Sequence, residues 1–394
     1  MAVRPPVLVG FADALAGIES AWCLADDGFE VHAFARHGSR PPVAGSRRVR
    51  IIEVTSPEDD AHQCAAEVAA AARQLGTVAV LPLDDHAVWL CDRAAALDTR
   101  VTVAGPTGRL ATLALDKRLQ LNMARSAGLA VPPGLGRPAQ LPGPGPWMVK
   151  PALAVQLRDG RLHRDRGQIA ARLEQVPVIT AGIGGPVIVQ RLIAGVGEGV
   201  FGLGIRGTAT VPSGHRRIRM MNPRGSGSSA CRSMPVASDV AGPVADMIGQ
   251  SGWDGLFMIE LLRDDAGQPW FMELNGRAWG SMALARHRGY RYPSWAVQAA
   301  LDPRFRPAEP AAPPEVTARH LGREIVHLGT VLARGGAPRL AAVRGVVAMR
   351  RGERWYNYRA GEIGVFAADT WATVRAQAAS GISRVMPAIG RKPR

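Results

Sequence analysis

Two apolar segments joined by a short polar turn constrain this chain more than any other feature of the sequence. LFMIELLR (residues 256–263) and PWFMELN (residues 269–275) flank DDAGQ, an arrangement that predicts a β-hairpin. A turn centred on its Ala-Gly step places Glu260 directly opposite Glu273. Paired side chains lie about 4.5–5.5 Å apart, a distance at which two carboxylates repel each other. Both strands are otherwise apolar, so unpartnered carboxylates are costly to bury there.

A divalent cation would remove that conflict. The alternation of the strands groups Met258, Glu260 and Leu262 with Phe271, Glu273 and Asn275 on one face. Two carboxylates and an amide oxygen are hard ligands that suit Mg²⁺, so Glu260, Glu273 and Asn275 are predicted to bind one or two Mg²⁺ ions, or Mn²⁺ in their place. Arg277 is expected to face a γ-phosphate or a developing oxyanion. The alternative is an amphipathic hairpin whose glutamates are simply solvated.

Lysine is rare in this chain, which has 45 arginines but only three lysines. A sequence with this bias is expected to keep lysine mainly where a guanidinium cannot replace it. Lysine presents a compact charge that suits phosphate oxygens, whereas arginine prefers flat, bidentate partners. Lys392 lies in the terminal tail. The two interior lysines, Lys117 and Lys150, are therefore candidates for phosphate contacts.

Charge and cysteine content narrow the class of protein. The formal net charge is +15, of which residues 301–394 carry +9. No zinc-finger spacing, aromatic RNP-like run or basic block accompanies this charge, which favours a dispersed arginine surface over a nucleic-acid site. The four cysteines are scattered and form no CxxC pair, which argues against a disulfide framework or zinc site and favours a cytoplasmic protein. No apolar run is long enough to cross a membrane.

The first 108 residues alternate between strand-like and helix-like segments. The pattern predicts strands at 6–11, 30–36 and 77–83 and helices at 12–27 and 57–75. Such alternation implies a small parallel sheet with its ligand edge at the carboxyl ends of the strands. The first turn lacks the GxGxxG spacing, so we expect a degenerate Rossmann-like scaffold. Asp84 or Asp85 is expected to cap a helix, and the alternative is that Asp84, Asp85 and His86 hold the ammonium of an amine substrate.

Residues 109–301 are predicted to form a second domain, followed by a basic extension at 302–394. The predicted elements are a helix at 110–127 carrying Lys117, a strand at 147–152 carrying Lys150, strands at 186–195 and 215–221, a Gly/Ser loop at 222–232, a helix at 237–252, the carboxylate hairpin and a helix from about residue 279. A proline-rich stretch after residue 301 marks the second boundary.

In this order, these segments resemble the ATP-grasp superfamily over most of residues 1–300. MELNGRAWGS is similar to the family's acidic strand and following helix, and LFMIEL to its preceding metal-ligand strand. ALDKRLQ and WMVKPA resemble its two phosphate-contacting lysine segments, and VIVQRLIAG the strand that links its two lobes. The resemblance implies an α/β (α+β) ATP-grasp fold with a Rossmann-like pre-domain at 1–108 and a hinge near 186–195.

The resemblance also implies which residues hold ATP and its metal ions. The phosphate contacts would be Lys117 and Lys150, with Arg277 steadying the transferred phosphoryl group. The adenine and ribose contacts would be Gln190, Arg191, the main chain around Leu192, and Glu198. The metal ligands would be Glu260, Glu273 and Asn275. Gly276 departs from the family pattern by replacing its usual proline. The segment after Lys150 also lacks a glycine-rich flap, so phosphate closure is expected elsewhere, such as at 222–230.

HRRIRMM followed by GSGSS resembles the acyl-substrate pocket of some ATP-grasp ligases. Arg217 and Arg219 alternate onto one face with His215, where a substrate carboxylate would suit them. The resemblance extends this pocket to Gly227, Ser228 and Ser229. The alternative is a solvated basic edge strand.

The expected function is that of an ATP-dependent carboxylate–amine ligase. It would activate a small carboxylic acid as an acylphosphate and form an amide or peptide bond with release of ADP and phosphate. An ATP-grasp kinase and a non-catalytic nucleotide- or nucleic-acid-binding protein are the alternatives. The expected partners are a small acid and an amine, without nucleic acid or membrane, and a homodimer is a further expectation.

Overall fold

In a computed structural model that describes residues 4–134, 145–222, 227–335, 338–348 and 350–383, the chain begins with a four-stranded parallel sheet. Its strands lie in the order β3-β2-β1-β4, with β1 at Pro6–Gly10, β2 at Glu30–Arg36, β3 at Val49–Val54 and β4 at Ala79–Pro82. Helices α1 (Gly17–Asp26), α2 (Ala61–Leu75) and α3 (Asp85–Leu97) follow β1, β3 and β4. The parallel sheet predicted here is confirmed.

Two helices of this region begin later than their periodicity predicts. Helix α1 starts at Gly17 because residues 12–16 form turns, in which the Gly17 N–H donates to the Ala14 carbonyl at 2.7 Å. Helix α2 starts at Ala61 because the Asp60 carboxylate accepts hydrogen bonds from the first turn and so marks its N-terminus.

A small sheet carries Lys150. Helices α4 (Arg109–Leu115) and α5 (Lys117–Ser126) precede it, and the predicted continuous helix at 110–127 is wrong at Asp116, which is extended and caps α5. Strand β5 (Trp147–Pro151) lies between β8 (Gln168–Ala170) and β9 (Val187–Arg191), with α6 (Gln175–Ala181) before β9. The hairpin of β6 (Gln156–Arg158) and β7 (Arg161–His163) follows β5.

Seven strands form the central sheet, in the order β14-β13-β10-β11-β12-β15-β16. Their bounds are β10 Val196–Ile205, β11 Thr208–Met220, β12 Ser228–Met234, β13 Gly255–Arg263, β14 Pro269–Asn275, β15 Thr317–Arg319 and β16 Glu353–Trp355. All neighbours are antiparallel except β15 and β16. The predicted loop at 222–232 is a strand from Ser228 onward, and its residues 223–226 lie outside the described residues.

Helices cover both faces of the central sheet. Helix α7 (Ser238–Ser251) packs with α4 and α5 against the face that carries Ile259 and Leu261. Helices α8 (Met282–His287), which begins three residues after the predicted start, and α9 (Tyr292–Leu301) share the other hydrophobic core with Phe201 and Met258. That second face also carries Glu260, because residues two apart in a strand point the same way.

The C-terminal segment is built into the fold. It supplies β15 and β16 to the central sheet. Helices α10 (Leu321–Arg334) and α11 (Arg339–Val347) lie between these two strands in the sequence, and α12 (Ile363–Ser383) follows β16. Arg359 pairs with Asp26 of α1 at 3.0 Å, and the Trp22 indole donates to Glu362 at 2.7 Å. The domain boundaries near residues 108 and 301 stay predictions. No helix in the described ranges is long and apolar enough to span a membrane.

Candidate active site

The β13–β14 hairpin places the two predicted carboxylates directly opposite each other. Glu260 pairs with Glu273, as the turn position predicts. Nearer the turn the register shifts by one residue at Met272, so that Leu261 pairs with Phe271. This β-bulge turns Phe271 into the α7-side core, and its predicted place on the carboxylate face is wrong.

Both interior lysines converge on Glu273. The ammonium of Lys117, at the start of α5, lies 3.8 Å from a Glu273 oxygen. Lys150 reaches from β5 and donates to the carbonyl of Met272 at 3.3 Å, the residue that forms the bulge. Burial alone would raise the pKa of Glu273, but Lys117 and Lys150 outweigh it and the net pKa is lowered. Burial lowers the pKa of Lys150 to about 8, against the attraction of Glu273.

Arg217 is the cation beside Glu260. Its guanidinium donates to a Glu260 oxygen at 2.6 Å, and the attraction of Glu260 raises the pKa of Arg217 despite burial. His215, two residues before it on β11, faces the same core and hydrogen-bonds the Ser281 hydroxyl through Nδ1 at 2.9 Å. Burial, with a smaller contribution from Arg217, lowers the pKa of His215 to about 3, so this ring is neutral at physiological pH.

The ligand set fits magnesium. Among the described residues no three His, Cys, Asp or Glu side chains cluster in a metal-binding arrangement, so a site here rests on Glu260, Glu273 and the Asn275 amide. Asn275 pairs with Met258 on the carboxylate face, and its Nδ2 lies 3.5 Å from Glu273. Two carboxylates and an amide oxygen are ligand types that Mg²⁺ accepts. The Asn275 oxygen accepts from Arg277 in this structure, so its place among the metal ligands stays a prediction.

Asp85 was named from the sequence, but its contact with Arg277 was not predicted. Arg277 donates to Asp85 at 3.1 Å and to the Asn275 amide oxygen at 2.8 Å, and Arg164 also pairs with Asp85 at 3.1 Å. Burial alone would raise the pKa of Asp85, but the two arginines hold it at about 2. The predicted helix cap is its neighbour Asp84, which accepts from the Ala87 N–H at 2.8 Å. The only sequence signal for Asp85 was its place at a strand end.

Arg219 is not brought to the carboxylates. Its guanidinium pairs with Glu324 of α10 and donates to the Gly345 carbonyl at 2.9 Å. Glu324 is fully buried and also accepts from Arg319 at 2.9 Å. The bulges in the β11–β12 pairing between Arg217 and Met220 break the simple alternation that predicted a shared face with Arg217. Its catalytic role stays a prediction.

The predicted Gly/Ser contacts lie at the start of β12. The Gly227 carbonyl accepts from the Met221 N–H at 2.9 Å. The Ser228 hydroxyl accepts from the Cys231 thiol at 3.1 Å, and the buried Ser229 hydroxyl donates to the Arg219 carbonyl at 3.4 Å. Ser228 and Ser229 are thus held by their own sheet, and their contact with a substrate stays a prediction.

Arg323 of α10 is a residue that sequence reasoning missed. It donates to the Ser228 carbonyl at 3.0 Å, and its charge interacts with Tyr356, Cys231 and Asp369 and is opposed by Arg217. In the described part of the chain no carboxylate lies within ion-pair distance of it, and burial lowers its pKa. No local motif could have revealed it, because α10 meets β12 only in the folded chain.

The predicted adenine contacts lie at the end of β9. Gln190 is buried beside Met148 of β5, and its Nε2 lies 3.5 Å from the Pro132 carbonyl. The N–H groups of Arg191 and Leu192 donate to the carbonyls of Pro133 and Pro146 at 2.9 and 3.0 Å. Adenine recognition by these main-chain groups stays a prediction.

Glu198, predicted to hold the ribose, lies on the opposite face from the metal-site carboxylates. It pairs with Leu261 in the β10–β13 register, whereas Gly199 pairs with Glu260. Its carboxylate accepts from Arg263 at 2.9 Å on the α7 side. Gly197 and Gly199 lie on the carboxylate face and Glu198 does not, and its contact with the ribose stays a prediction.

The hairpin after Lys150 is docked on the first part of the chain. The Ala61 N–H donates to the Gly160 carbonyl at 2.8 Å, and the Leu162 N–H donates to the Pro57 carbonyl at 2.7 Å. This hairpin stands in the sequence directly after Lys150, where a glycine-rich flap would be expected from the resemblance. The alternative closing segment, 222–230, lies partly outside the described residues.

The small sheet that carries Lys150 and the central sheet, whose edge is the carboxylate hairpin, define the class of fold. Comparison with known structures shows that the chain has the ATP-grasp fold. The biotin carboxylase domain of Hydrogenobacter thermophilus 2-oxoglutarate carboxylase, solved with MgADP and bicarbonate, covers 78% of this chain and 72% of its own at 16% identity, with a TM-score of 0.58.

Two further structures show the same likeness. An L-amino acid ligase from Bacillus licheniformis covers 78% of both chains at 17% identity with a TM-score of 0.56. A biotin carboxylase from Campylobacter jejuni covers 80% of this chain and 74% of its own at 13% identity with a TM-score of 0.57. No protein-family model and no curated protein sequence matches the chain. The predicted ATP-grasp fold is therefore confirmed, the Rossmann-like character of the first domain stays a prediction, and the likeness leaves the reaction open.

Proposed function

We propose that the protein is an ATP-dependent carboxylate–amine ligase. In the first step a substrate carboxylate oxygen attacks the γ-phosphorus of ATP, the bond from that phosphorus to the β,γ-bridging oxygen breaks, and ADP leaves. In the second step an amine nitrogen attacks the acyl carbon, the bond to the phosphate oxygen breaks, and the nitrogen gives up a proton. The products are an amide, ADP and phosphate.

One observation carries the proposal: Lys117 pairs with Glu273, Lys150 hydrogen-bonds the neighbouring Met272 carbonyl, and Glu273 directly faces Glu260. Phosphoryl transfer depends mainly on positioning and on neutralising phosphate charge. The lysines supply mobile positive charge for phosphate oxygens. Mg²⁺ held by Glu260, Glu273 and Asn275 would neutralise further phosphate charge at the same place.

Two guanidinium groups favour an acid over an alcohol as phosphoryl acceptor. Arg217 pairs with Glu260, and Arg323 interacts electrostatically with Arg217 and Asp369 but forms no ion pair among the described residues. A buried guanidinium that lacks a close ion pair is costly, and a substrate carboxylate would offset that cost with paired hydrogen bonds. A kinase acting on an alcohol would leave Arg323 without such a pair.

The basic C-terminal residues give less support to nucleic-acid binding. Arg319 pairs with Glu353 at 2.8 Å as well as with Glu324, and Arg359 pairs with Asp26. These arginines are committed to holding the fold together, which reduces the positive charge available to a polyanion.

The test is to trap the acylphosphate. The protein is incubated with MgATP, hydroxylamine and, one at a time, the twenty amino acids and a set of simple carboxylic acids. We expect ADP release to depend on one or a few acids and to yield their hydroxamates in equal amount. ADP release with an alcohol alone, with a phosphate ester as product, would establish the kinase instead.

A further inference from the structure

A crevice opens at the amino edge of the first parallel sheet. Its volume is about 480 Å³, within the range of about 300–1,000 Å³ in which protein pockets hold small molecules. Its lining comes from the segment before β1, the end of α1 and the beginnings of β2 and β3. The candidate active site lies at the other edge, where Asp85 follows β4 and accepts from Arg277. Strand β2 has seven residues, so at about 3.3 Å per residue the two edges lie roughly 20 Å apart.

The lining of this crevice is strongly basic. It contains four arginines and one acid: Arg4, Arg47, Arg48, Arg50 and Glu30. Three positive charges therefore remain in excess within the lining. Positive charge concentrated on a concave surface raises the local electrostatic potential and the local concentration of anions. The charge of the crevice thus favours a ligand that carries several negative charges.

Two of these arginines are held in place by acids of the fold. Arg50 pairs with Glu30 at 3.2 Å. Arg48 pairs with Asp26, the last residue of α1, at 2.8 Å, and its Nε lies 3.5 Å from a Glu362 oxygen. A guanidinium has five N–H donors, so these pairs fix the position of each group and leave donors for a ligand.

The other two arginines have no acid of their own. Among the described residues, Arg4 and Arg47 make no ion pair and no side-chain hydrogen bond. Both are exposed, and they come from different segments of the chain that meet at the crevice. An anion bound here would form charge-assisted hydrogen bonds with these two groups, and no protein carboxylate would compete for them.

The rest of the lining is apolar. Ala25, Phe29 and Val31 supply no hydrogen-bonding side chain, and the last two are only 7% and 1% exposed. Side-chain donors for a ligand therefore come from the arginines alone. Guanidinium groups bind phosphate oxygens through paired N–H contacts. The crevice is larger than a single phosphate ion, whereas a chain of phosphates presents charged oxygens to several guanidinium groups at once.

We propose that this crevice binds a small oligophosphate, either free pyrophosphate or tripolyphosphate or the phosphate chain of a nucleotide. Arg4 and Arg47 supply the uncompensated charge, and Arg48 and Arg50 complete the basic lining. A crevice of this volume suits a compact ligand, whereas a nucleic-acid strand needs a groove that follows its backbone. The site is additional to the proposed ligase function and does not depend on it.

Isothermal titration calorimetry with tripolyphosphate, without Mg²⁺, tests the proposal. Arg4→Gln and Arg47→Gln each remove one unpaired charge from the crevice. Arg40→Gln is the matched control, because Arg40 is also exposed, has no ion pair among the described residues and lies outside the crevice lining. Lys117→Met separates this site from the candidate active site, where the lysines also attract phosphate.

In Arg4→Gln and Arg47→Gln we expect the Kd for tripolyphosphate to rise at least about fivefold, through the loss of one charge-assisted contact. Arg40→Gln should stay within about twofold of wild type. Lys117→Met should retain tripolyphosphate binding, and adding Arg47→Gln to it should weaken that binding by the same factor. Titrations with pyrophosphate and ADP identify the source: equal Kd values mean that the phosphates alone are recognised, and tighter ADP binding means a nucleotide.

Three results would overturn the proposal. Loss of all tripolyphosphate binding in Lys117→Met would place the binding at the candidate active site. Equal weakening in Arg40→Gln and in the crevice variants would show a diffuse attraction to the basic surface. Binding of a short single-stranded RNA by the wild type, without binding of tripolyphosphate, would assign the arginines to nucleic acid instead.

Discussion

Glu260 and Glu273 are direct cross-strand neighbours, yet each faces a different cation: Arg217 lies 2.6 Å from Glu260 and Lys117 lies 3.8 Å from Glu273. The repulsion between the two carboxylates is thus offset by charges that come from β11 and α5, on opposite sides of the hairpin. A metal cation bound between the two glutamates would free the side chains of Arg217 and Lys117 to contact substrates. The predictions below follow from this charge arrangement.

Glu273→Gln should abolish Mg²⁺-dependent ADP formation. The substitution keeps the shape of the side chain and removes the charge on which the two lysines and the predicted metal converge, so turnover should fall at least about a hundredfold. A coupled ADP assay across Mg²⁺ concentrations measures this. The melting temperature should change by less than about 5 °C. Unchanged turnover would remove Glu273 from the metal site.

Lys150 should set an alkaline limit on ATP binding. Because its pKa is about 8, the ammonium is present below that pH and is lost above it, and the KM for ATP should rise about tenfold per pH unit. In Lys150→Arg the positive charge persists, so the rise in the KM for ATP at alkaline pH should disappear, even if the affinity for ATP is lower. An ATP KM that is flat between pH 7 and 10 in the wild type would contradict the phosphate role.

The lowered pKa of Lys150 also predicts how the stability of the protein changes with pH. The unfolded chain keeps the Lys150 proton up to its ordinary pKa of 10.5, whereas the free folded protein releases it near pH 8. Between these values the unfolded state binds more protons, so the contribution of this group to the free energy of unfolding rises with pH. Urea titrations of wild type and Lys150→Met at pH 7.5 and 9.5 measure the difference.

Asp85→Asn should impair turnover through Arg277. The substitution removes the charge that holds this guanidinium beside Asn275, so we expect kcat to fall about 10- to 100-fold with a smaller change in the KM for ATP. Steady-state kinetics with MgATP as the varied substrate measure both constants. Asp92→Asn, on the same helix, serves as a comparison outside this ion pair. An equal loss in the two variants would mean that α3 has only been disturbed.

Glu324→Gln should destabilise the protein by about 3 kcal/mol, because it leaves the guanidinium groups of Arg219 and Arg319 facing each other without this fully buried acid. Urea denaturation measures the change. Glu315→Gln is the control, since Glu315 pairs with Arg232 on the surface, where 68% and 61% of the side chains are exposed. That change should lie within about 0.5 kcal/mol.

Removing residues 302–394 should prevent folding. The deletion strips β15 and β16 from the sheet, exposes the edge of β12 and leaves Cys231, Ala283 and Leu284 without their apolar partners in the C-terminal segment. We expect insoluble or aggregated protein, checked by size-exclusion chromatography. A soluble monomer that still turns over ATP would show that the extension is an independent unit.

Much of the candidate site followed from local pattern. The Glu260–Glu273 pairing depends only on a turn position and the two-residue period of a strand, both of which are short-range. The two lysines stood out through composition alone. The same alternation misplaced Phe271, because a bulge at Met272 shifted one strand by a residue.

By itself, then, the sequence determined the elements, the parallel first sheet and the facing carboxylates, because periodicity and turn residues act over a few positions. Only the tertiary structure decided that Asp85 holds Arg277, 192 residues away, and that Arg323 lies near Arg217. Contacts between such distant segments depend on how the sheets and helices pack, and the spacing of residues within one segment does not determine that packing. The pairing of Glu260 with Glu273 follows from the sequence of the hairpin, whereas the tertiary structure determines which cations lie beside them.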